Sequence, residues 1–81
     1  MYPEGWLIEP DGKFLLLFQR DPTSLKRLPK GYVDKWNCAN GSPTTFVKRR
    51  ELSAVDAVSL WITSTEDGWR RVDTQFGEQV A

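Results

Sequence analysis

The sequence contains no histidine and only one cysteine, Cys38, among its 81 residues. Without an imidazole there can be no Ser–His or Cys–His nucleophile pair, and no histidine ligand for a metal ion. A single thiol can form neither an internal disulfide nor the four-ligand set of a structural zinc site. We therefore expect no catalytic residue of these kinds, no metal and no cofactor, in a reducing compartment such as the cytoplasm.

Long apolar runs and glycine clusters are also missing. The longest apolar run is residues 14–18, FLLLF, which is far short of the roughly 20 residues that a membrane helix needs. The glycines stand apart from one another, so no glycine-rich loop that cradles a phosphate is predicted. Residues 1–5 show no basic region followed by an apolar stretch, so we expect no signal peptide and no contact with a membrane.

No excess of either charge is present, because 11 basic residues balance 11 acidic ones. A dedicated nucleic-acid binder usually carries net positive charge, so this balance argues against that class. The hydrophobic share of 40% is typical of a folded protein. We expect a single domain over residues 1–81, with a frayed tail at 77–81.

The first half of the chain predicts four strands in two hairpins. Pro10, Asp11 and Gly12 form a turn between strands at 6–8 and 13–19. Strands at 32–36 and 44–49 flank a hairpin loop at 37–43, and residues 21–30 form a loop with at most one helical turn. In the second strand both faces are apolar, with Leu15 and Leu17 opposite the phenylalanines.

One helix is predicted between Ser53, which can cap its first turn, and Gly68, which can end it. Its expected buried stripe consists of Ala54, Val55, Ala57, Val58, Trp61 and Ile62. Residues 69–76 form a last strand. The fold class is therefore α+β, a small antiparallel sheet of four to five strands with one helix on one face, in the order β-β-β-β-α-β.

The spacing of tryptophan and glycine resembles a known family. Residues 5–8 (GWLI) precede the Pro-Asp-Gly turn, and Ala57, Trp61 and the Gly68-Trp69 pair follow in the second half. This pattern is similar to that of a family of short cyanobacterial proteins described as a domain of unknown function. The resemblance implies no activity, cofactor or catalytic residue.

The leading functional expectation is a non-enzymatic interaction module, and one form of it is a homodimer that associates through Leu15 and Leu17. One helix cannot cover both faces of an apolar strand, so one face is available to a partner. Cys38 lies in a polar loop without the cations that would activate it, and we interpret it as an incidental thiol.

The second expectation is nucleic-acid binding by a local basic patch. If the last strand lies beside the strand at 44–49, the alternation brings basic residues of both strands to one face. Exposed Trp36 or Trp69 would add stacking to their phosphate contacts. The alternative is a solvated outer face. The patch consists of Lys48, Arg49, Arg50, Arg70 and Arg71.

The third and least favoured expectation is an enzyme that uses two carboxylates as acid and base. Glu9 and Asp11 flank the first turn, and Glu66 and Asp67 close the helix. Turn formation accounts for the first pair and a solvated helix end for the second. The two pairs also stand on different elements, so no shared site is predicted.

Overall fold

Five strands and one helix make up the computed structural model, which describes residues 2–74. The predicted tail at 77–81, and residues 75 and 76 of the predicted last strand, lie outside the described residues. The last strand is shorter than predicted, because residues 73 and 74 are not part of it. In chain order the elements are β1 (Gly5–Ile8), β2 (Phe14–Arg20), β3 (Lys30–Ala39), β4 (Ser42–Ser53), α1 (Ala54–Glu66) and β5 (Arg70–Val72). The expected α+β class is therefore confirmed, with a five-stranded antiparallel sheet and a single helix.

Two tight turns set the hairpins. In the first, the Gly12 amide donates to the Glu9 carbonyl oxygen at 2.8 Å. In the second, Asn40 and Gly41 have φ angles of 53° and 80°, as a type I′ turn requires. The hairpin loop predicted at 37–43 is wrong, because β3 and β4 continue to this two-residue turn.

The order of strands across the sheet is β4-β3-β2-β1-β5, and all pairs are antiparallel. β5 therefore lies beside β1 and not beside β4, contrary to the arrangement on which the basic patch depended. Four strand spacings separate the two edges along the sheet, which is roughly 19 Å in a flat sheet. Antiparallel pairing allows either edge to accept the last strand, and local sequence does not select between them.

β4 is longer than predicted and runs directly into the helix. It extends to Ser53, whose side chain accepts a hydrogen bond from the Asp56 amide at 3.1 Å, so the predicted cap is confirmed. Near its other end β4 is irregular, with register shifts on either side of Trp36. Gly31 lies where β3 meets β2, and a Cβ there would overlap the carbonyl oxygen of Gln19.

α1 covers one side of the sheet, which we call the helix side. Its core includes Phe18 and Leu7, which are almost fully buried, together with Ala57 of the helix. Trp61 packs edge-on against Phe18, with ring centroids 4.9 Å apart. Burial of these aromatic and aliphatic groups is the main stabilising contribution on this side.

The helix packs with a stripe that shares Ala54, Ala57 and Trp61 with the predicted one but is rotated from it. Ala57 and Ser64 are buried and Leu60 packs against the core, whereas Val55 and Ile62 are 76% and 51% exposed. The helix is thus rotated by roughly a fifth of a turn from the expected orientation. Apolar residues lie around most of its circumference, so periodicity alone does not define which stripe meets the sheet.

A second apolar cluster lies on the opposite side of the sheet, the far side. Trp6, Ile8 and Leu15 are its buried members, and Cys38 and Val72 pack against it. The Thr74 hydroxyl donates to the Gly41 carbonyl oxygen at 2.9 Å, which joins the end of β5 to the β3–β4 turn. This contact brings the segment after β5 next to the β3–β4 turn.

α1 crosses the helix side obliquely. At its start the Ala54 amide donates to the Pro29 carbonyl oxygen at 3.0 Å, next to the β4 edge. Beyond its end Gly68 lies against Pro10, in the turn between β1 and β2. This path leaves the middle of β3 and β4 uncovered on the helix side. Within residues 2–74, no helix is long and apolar enough to cross a membrane.

Candidate functional site

The predicted association face is only partly accessible. Leu15 has no exposed surface in the single chain, because it belongs to the far-side cluster. Leu17 is half-buried at the margin of the same cluster. Both side chains point away from the helix, as the alternation predicted. Without a rearrangement, only Leu17 can contact a second molecule.

The five residues of the predicted basic patch are distributed over three places. Lys48 and Arg50 point to the helix side, where Arg50 lies opposite Val33. Arg49, between them, points to the far side. They occupy the middle of β4 and not the entrance to the helix, because that strand continues to Ser53.

Arg70 and Arg71 lie at the other edge of the sheet, on β5. Arg71 is opposite Leu7 in the register with β1, and its guanidinium packs over Gly5. Arg70 is opposite Ile8 and therefore points to the far side. The structure does not join these two arginines to Lys48 and Arg50 in one surface.

Arg49 forms an ion pair with Asp34, its direct cross-strand neighbour. Its Nε and Nη2 atoms donate to the two carboxylate oxygens at 2.8 and 2.9 Å, a bidentate arrangement. Asp34 is only 3% exposed, and Gln19 Nε2 lies 3.5 Å from its Oδ2. The guanidinium also stands 4.4 Å from the centroid of the Tyr32 ring. The hydrogen bond to Asp34 raises the pKa of Arg49, so this arginine has a structural partner.

On the helix side of the same strands lies a cleft of about 260 Å³. Its basic wall is formed by Lys35 of β3 and by Lys48 and Arg50 of β4. Its apolar floor comes from Leu16, Val33 and Leu60. Ser64 and Trp69 complete the lining from the helix end and the segment after it. We call this site the basic cleft.

The cations of the basic cleft face one another, and no acidic residue of the described part of the chain lines the cleft with them. Lys35 and Lys48 are direct cross-strand neighbours, a like-charge pair that destabilises a sheet. Lys35 Nζ stands 4.0 Å from the centroid of the Phe14 ring. Among residues 2–74, Lys48 and Arg50 form no ion pair within 4.0 Å and no hydrogen bond through their side chains. The cleft is therefore electrostatically suited to an anion.

Ser64 places a polar group on the inner wall of the cleft. The residue is 7% exposed, and within residues 2–74 its hydroxyl makes no hydrogen bond. The neighbouring hydroxyls behave differently, since Thr63 donates to the Ser59 carbonyl at 2.8 Å and Thr65 to that of Ile62 at 2.9 Å. The Ser64 hydroxyl is not sealed in the core and opens onto the cleft, where it is available to a ligand.

Trp69 is positioned by the end of the helix. Its amide donates to the Ser64 carbonyl oxygen at 3.0 Å, and Gly68 provides the left-handed φ of 99° that turns the chain. Its side chain packs against the helix-side core and lines the cleft. Trp36, by contrast, lies on the far side against Phe46, with centroids 5.6 Å apart. Only Trp69 therefore accompanies the cations.

The carboxylate pairs have local structural contacts. The Glu9 side chain accepts a hydrogen bond from the Lys13 amide at 3.2 Å, which is turn chemistry. Asp67 is the C-cap of α1, and its amide donates to the carbonyl oxygens of Thr63 and Ser64. Cys38 is half-buried against the far-side cluster. Within residues 2–74, no three Cys, Asp or Glu side chains gather in a group that could hold a metal ion.

Sequence reasoning identified Lys48, Arg50 and Trp69 as candidates but missed Lys35 and Ser64. The side chains of Asp34 and Lys35 point to opposite sides of β3, so the sequence indicates which side of the sheet Lys35 lies on. It does not indicate which residue of β4 lies opposite Lys35. Ser64 stands three residues after Trp61, a spacing that places both on one helix face. That spacing was the available signal for a buried hydroxyl near the sheet.

Comparison with known proteins places the chain in a family. A family model described as "Protein of unknown function (DUF1651)" matches residues 4–76. The chain belongs to this family. The match spans all five strands and the helix, so the basic cleft lies entirely within it. No curated protein matches the chain, and no solved structure does. The family is described as one of unknown function, so membership assigns no role to the cleft.

Proposed function

We propose that the protein is a non-enzymatic binding module that holds a small phosphate-bearing ligand in the basic cleft. The observation that carries this proposal is the grouping of Lys35, Lys48 and Arg50 around a cleft, with no acidic partner for these side chains among residues 2–74. Cations that face one another cost stability unless an anion lies between them. Binding of an anion between these cations would explain why an arrangement that opposes folding is present.

The charge of the cleft favours phosphate over carboxylate. Three cations exceed the single charge of a carboxylate, whereas a phosphate monoester carries nearly two negative charges at neutral pH. The Arg50 guanidinium can donate two parallel hydrogen bonds to phosphate oxygens, and the lysines add point charges. The Ser64 hydroxyl provides a further donor at the inner wall.

The remaining walls favour a compact apolar or aromatic group attached to the phosphate. The floor is aliphatic, and the Trp69 side chain stands at one side of it. A volume of about 260 Å³ is slightly below the range of pockets for drug-sized molecules, so the ligand is small. A free phosphate ester and a nucleotide of a single-stranded nucleic acid share this chemistry.

Isothermal titration calorimetry tests the proposal with two probes in about 50 mM salt. Phenyl phosphate represents a free ester, and a single strand of about ten nucleotides represents nucleic acid. We expect saturable binding of phenyl phosphate and weaker binding of benzoate, which has one charge fewer. Binding of the strand alone, with a steep dependence on salt, would overturn the small-ligand proposal in favour of a nucleic-acid interface.

Matched variants locate the binding. Lys48→Ala and Arg50→Ala should each weaken the affinity for phenyl phosphate about tenfold, because each removes a hydrogen bond to a charged group. Arg70→Ala is the control, since this arginine lies at the opposite edge and on the far side. Ser64→Ala, with Ser59→Ala as its exposed counterpart on α1, tests the role of the Ser64 hydroxyl. Equal affinities in all these variants would show that the cleft is not the site.

A further inference from the structure

An exposed apolar stripe runs along the outer face of α1, away from the sheet and from the basic cleft. Val55, Val58 and Ile62 are 76%, 39% and 51% exposed. Their spacing of three and then four residues places them on one face of the helix. Leu28 is 74% exposed and lines the same groove as Val55, at the start of the helix. The stripe therefore continues onto the loop before β3.

The charges at the two ends of this stripe are opposite in sign. The only charged residues within α1 are Asp56 and Glu66, and Asp67 caps its C-terminus. The loop at the other end carries the exposed residues Lys26 and Arg27, of which Arg27 lines the groove with Leu28. The loop is fixed there because the Ala54 amide bonds to the Pro29 carbonyl oxygen. Two acids also lie near the start: Asp56 is in the first turn of α1, about 100° around the helix from Val55, and Glu51 lines the groove but pairs with Lys30 at 3.1 Å. With Lys26, Arg27 and Lys30 against these two acids, the start of the stripe keeps a net positive charge, whereas its end is acidic.

We infer that this stripe is the interface of a symmetric homodimer, in which α1 packs antiparallel against α1 of a second copy. A two-fold axis near Val58 places the basic start of each stripe beside the acidic end of the other. It also sets the Val55 side chain of one copy against Ile62 of the other. Ser59, beside the axis, is small enough for the helices to approach closely.

The stripe is complementary to itself in this orientation and in no parallel one. Parallel packing would place Arg27 against Arg27 and Glu66 against Glu66, and it would align the two helix dipoles unfavourably. The antiparallel arrangement makes both contacts favourable. Because a helix of 13 residues is only about 20 Å long, the interface is smaller than that of a standard stable complex. We therefore expect a weak dimer that forms at high protein concentration.

Sedimentation equilibrium over a range from micromolar to millimolar protein tests this inference. Wild type should shift from monomer to dimer, and Val58→Asp should remain monomeric, because it places two carboxylates at the axis. Circular dichroism of Val58→Asp checks that the helix is intact. A wild-type protein that stays monomeric throughout the range would overturn the inference. The stripe would then have to be covered by a different partner, if by any.

A charge exchange keeps the inference testable if Val58→Asp does not fold. Arg27→Glu and Glu66→Lys should each weaken the dimer several-fold, and the double variant should restore it, because the same two residues meet twice about the axis. Arg70→Glu is the control for a change of charge elsewhere. A dimer that none of these changes affects would contradict the interface. The outcome is independent of phosphate binding, since none of these residues lines the cleft.

Discussion

The two sides of the β3–β4 ladder carry basic residues in opposite situations. On the far side, Arg49 lies opposite Asp34 and holds it in a bidentate ion pair. On the helix side, at the next position of the same ladder, Lys35 lies opposite Lys48. The first arrangement satisfies a buried acid, and the second brings like charges together. A basic residue in the middle of an outer strand is therefore structural on one side and available to a ligand on the other.

The largest effect should come from breaking the far-side pair. Arg49→Ala leaves the buried Asp34 carboxylate with only the long contact from Gln19, and removal of one member of a buried pair is costly. Because Arg49 itself is half-exposed, we expect a loss of about 2 kcal/mol in the free energy of unfolding. Urea denaturation measures this loss.

Lys48→Ala is the matched control on the same strand, since it has no acid opposite and should not destabilise the protein. Replacement of both members, Asp34→Leu with Arg49→Met, should cost much less than Arg49→Ala alone. Equal losses for Arg49→Ala and Lys48→Ala would show that the two sides do not differ as described.

A smaller effect is expected from the neutral polar contact on the helix side. The buried Tyr2 hydroxyl donates to the Leu52 carbonyl oxygen at 3.3 Å, so Tyr2→Phe should cost about 1 kcal/mol at neutral pH. Burial raises the pKa of Tyr2 above its ordinary value of 10.0, and the nearby charge of Glu51 raises it further. The folded state therefore favours the protonated phenol.

This shift fixes the sign of a pH dependence. The stability that the raised pKa of Tyr2 contributes to the folded state is fully present below pH 10.0 and is lost as the pH rises through the folded-state pKa. The free energy of unfolding, measured from denaturation curves at increasing pH, should thus fall less steeply with pH in Tyr2→Phe than in wild type. Identical alkaline slopes would contradict a buried hydroxyl at this position. Far-side residues are unchanged in this variant, so the effect reports the helix side alone.

The smallest effect should be a gain in stability. Lys48→Gln removes the like-charge contact with Lys35 and should raise the free energy of unfolding by about 0.5 kcal/mol in low salt. In about 1 M salt the gain should disappear, because exposed charges are screened within a few ångströms. Lys26→Gln, in the exposed loop, is the control. A loss of stability in Lys48→Gln would indicate that this lysine has a structural role.

Local signals predicted much of the fold. Pro10 to Gly12 marked the first turn, and Ser53 marked the start of the helix, because both features depend on residues close in sequence. The edge chosen by β5 and the rotation of α1 were not predictable in this way. Both depend on how apolar surfaces fit together at a distance, and α1 has apolar residues on more than one face.

The candidate site shows the same limit. Counting outward from the turn at Asn40 and Gly41 places Lys35 opposite Phe46. Two irregularities beside Trp36 shift the register, so that Lys35 meets Lys48 instead. Such bulges insert unpaired residues and re-aim the side chains that follow. The grouping of cations in the basic cleft therefore arises from strand pairing that the sequence pattern does not reveal.

The most direct test of the phosphate-binding proposal is a nuclear magnetic resonance titration of ¹⁵N-labelled protein with phenyl phosphate. We predict saturable shifts of the Trp69 indole and Ser64 amide signals, and little change in the Arg70 amide signal at the opposite edge. These shifts should vanish when Lys48→Ala and Arg50→Ala are combined. Saturable shifts confined to other residues, or no shift at millimolar phenyl phosphate, would contradict the proposal.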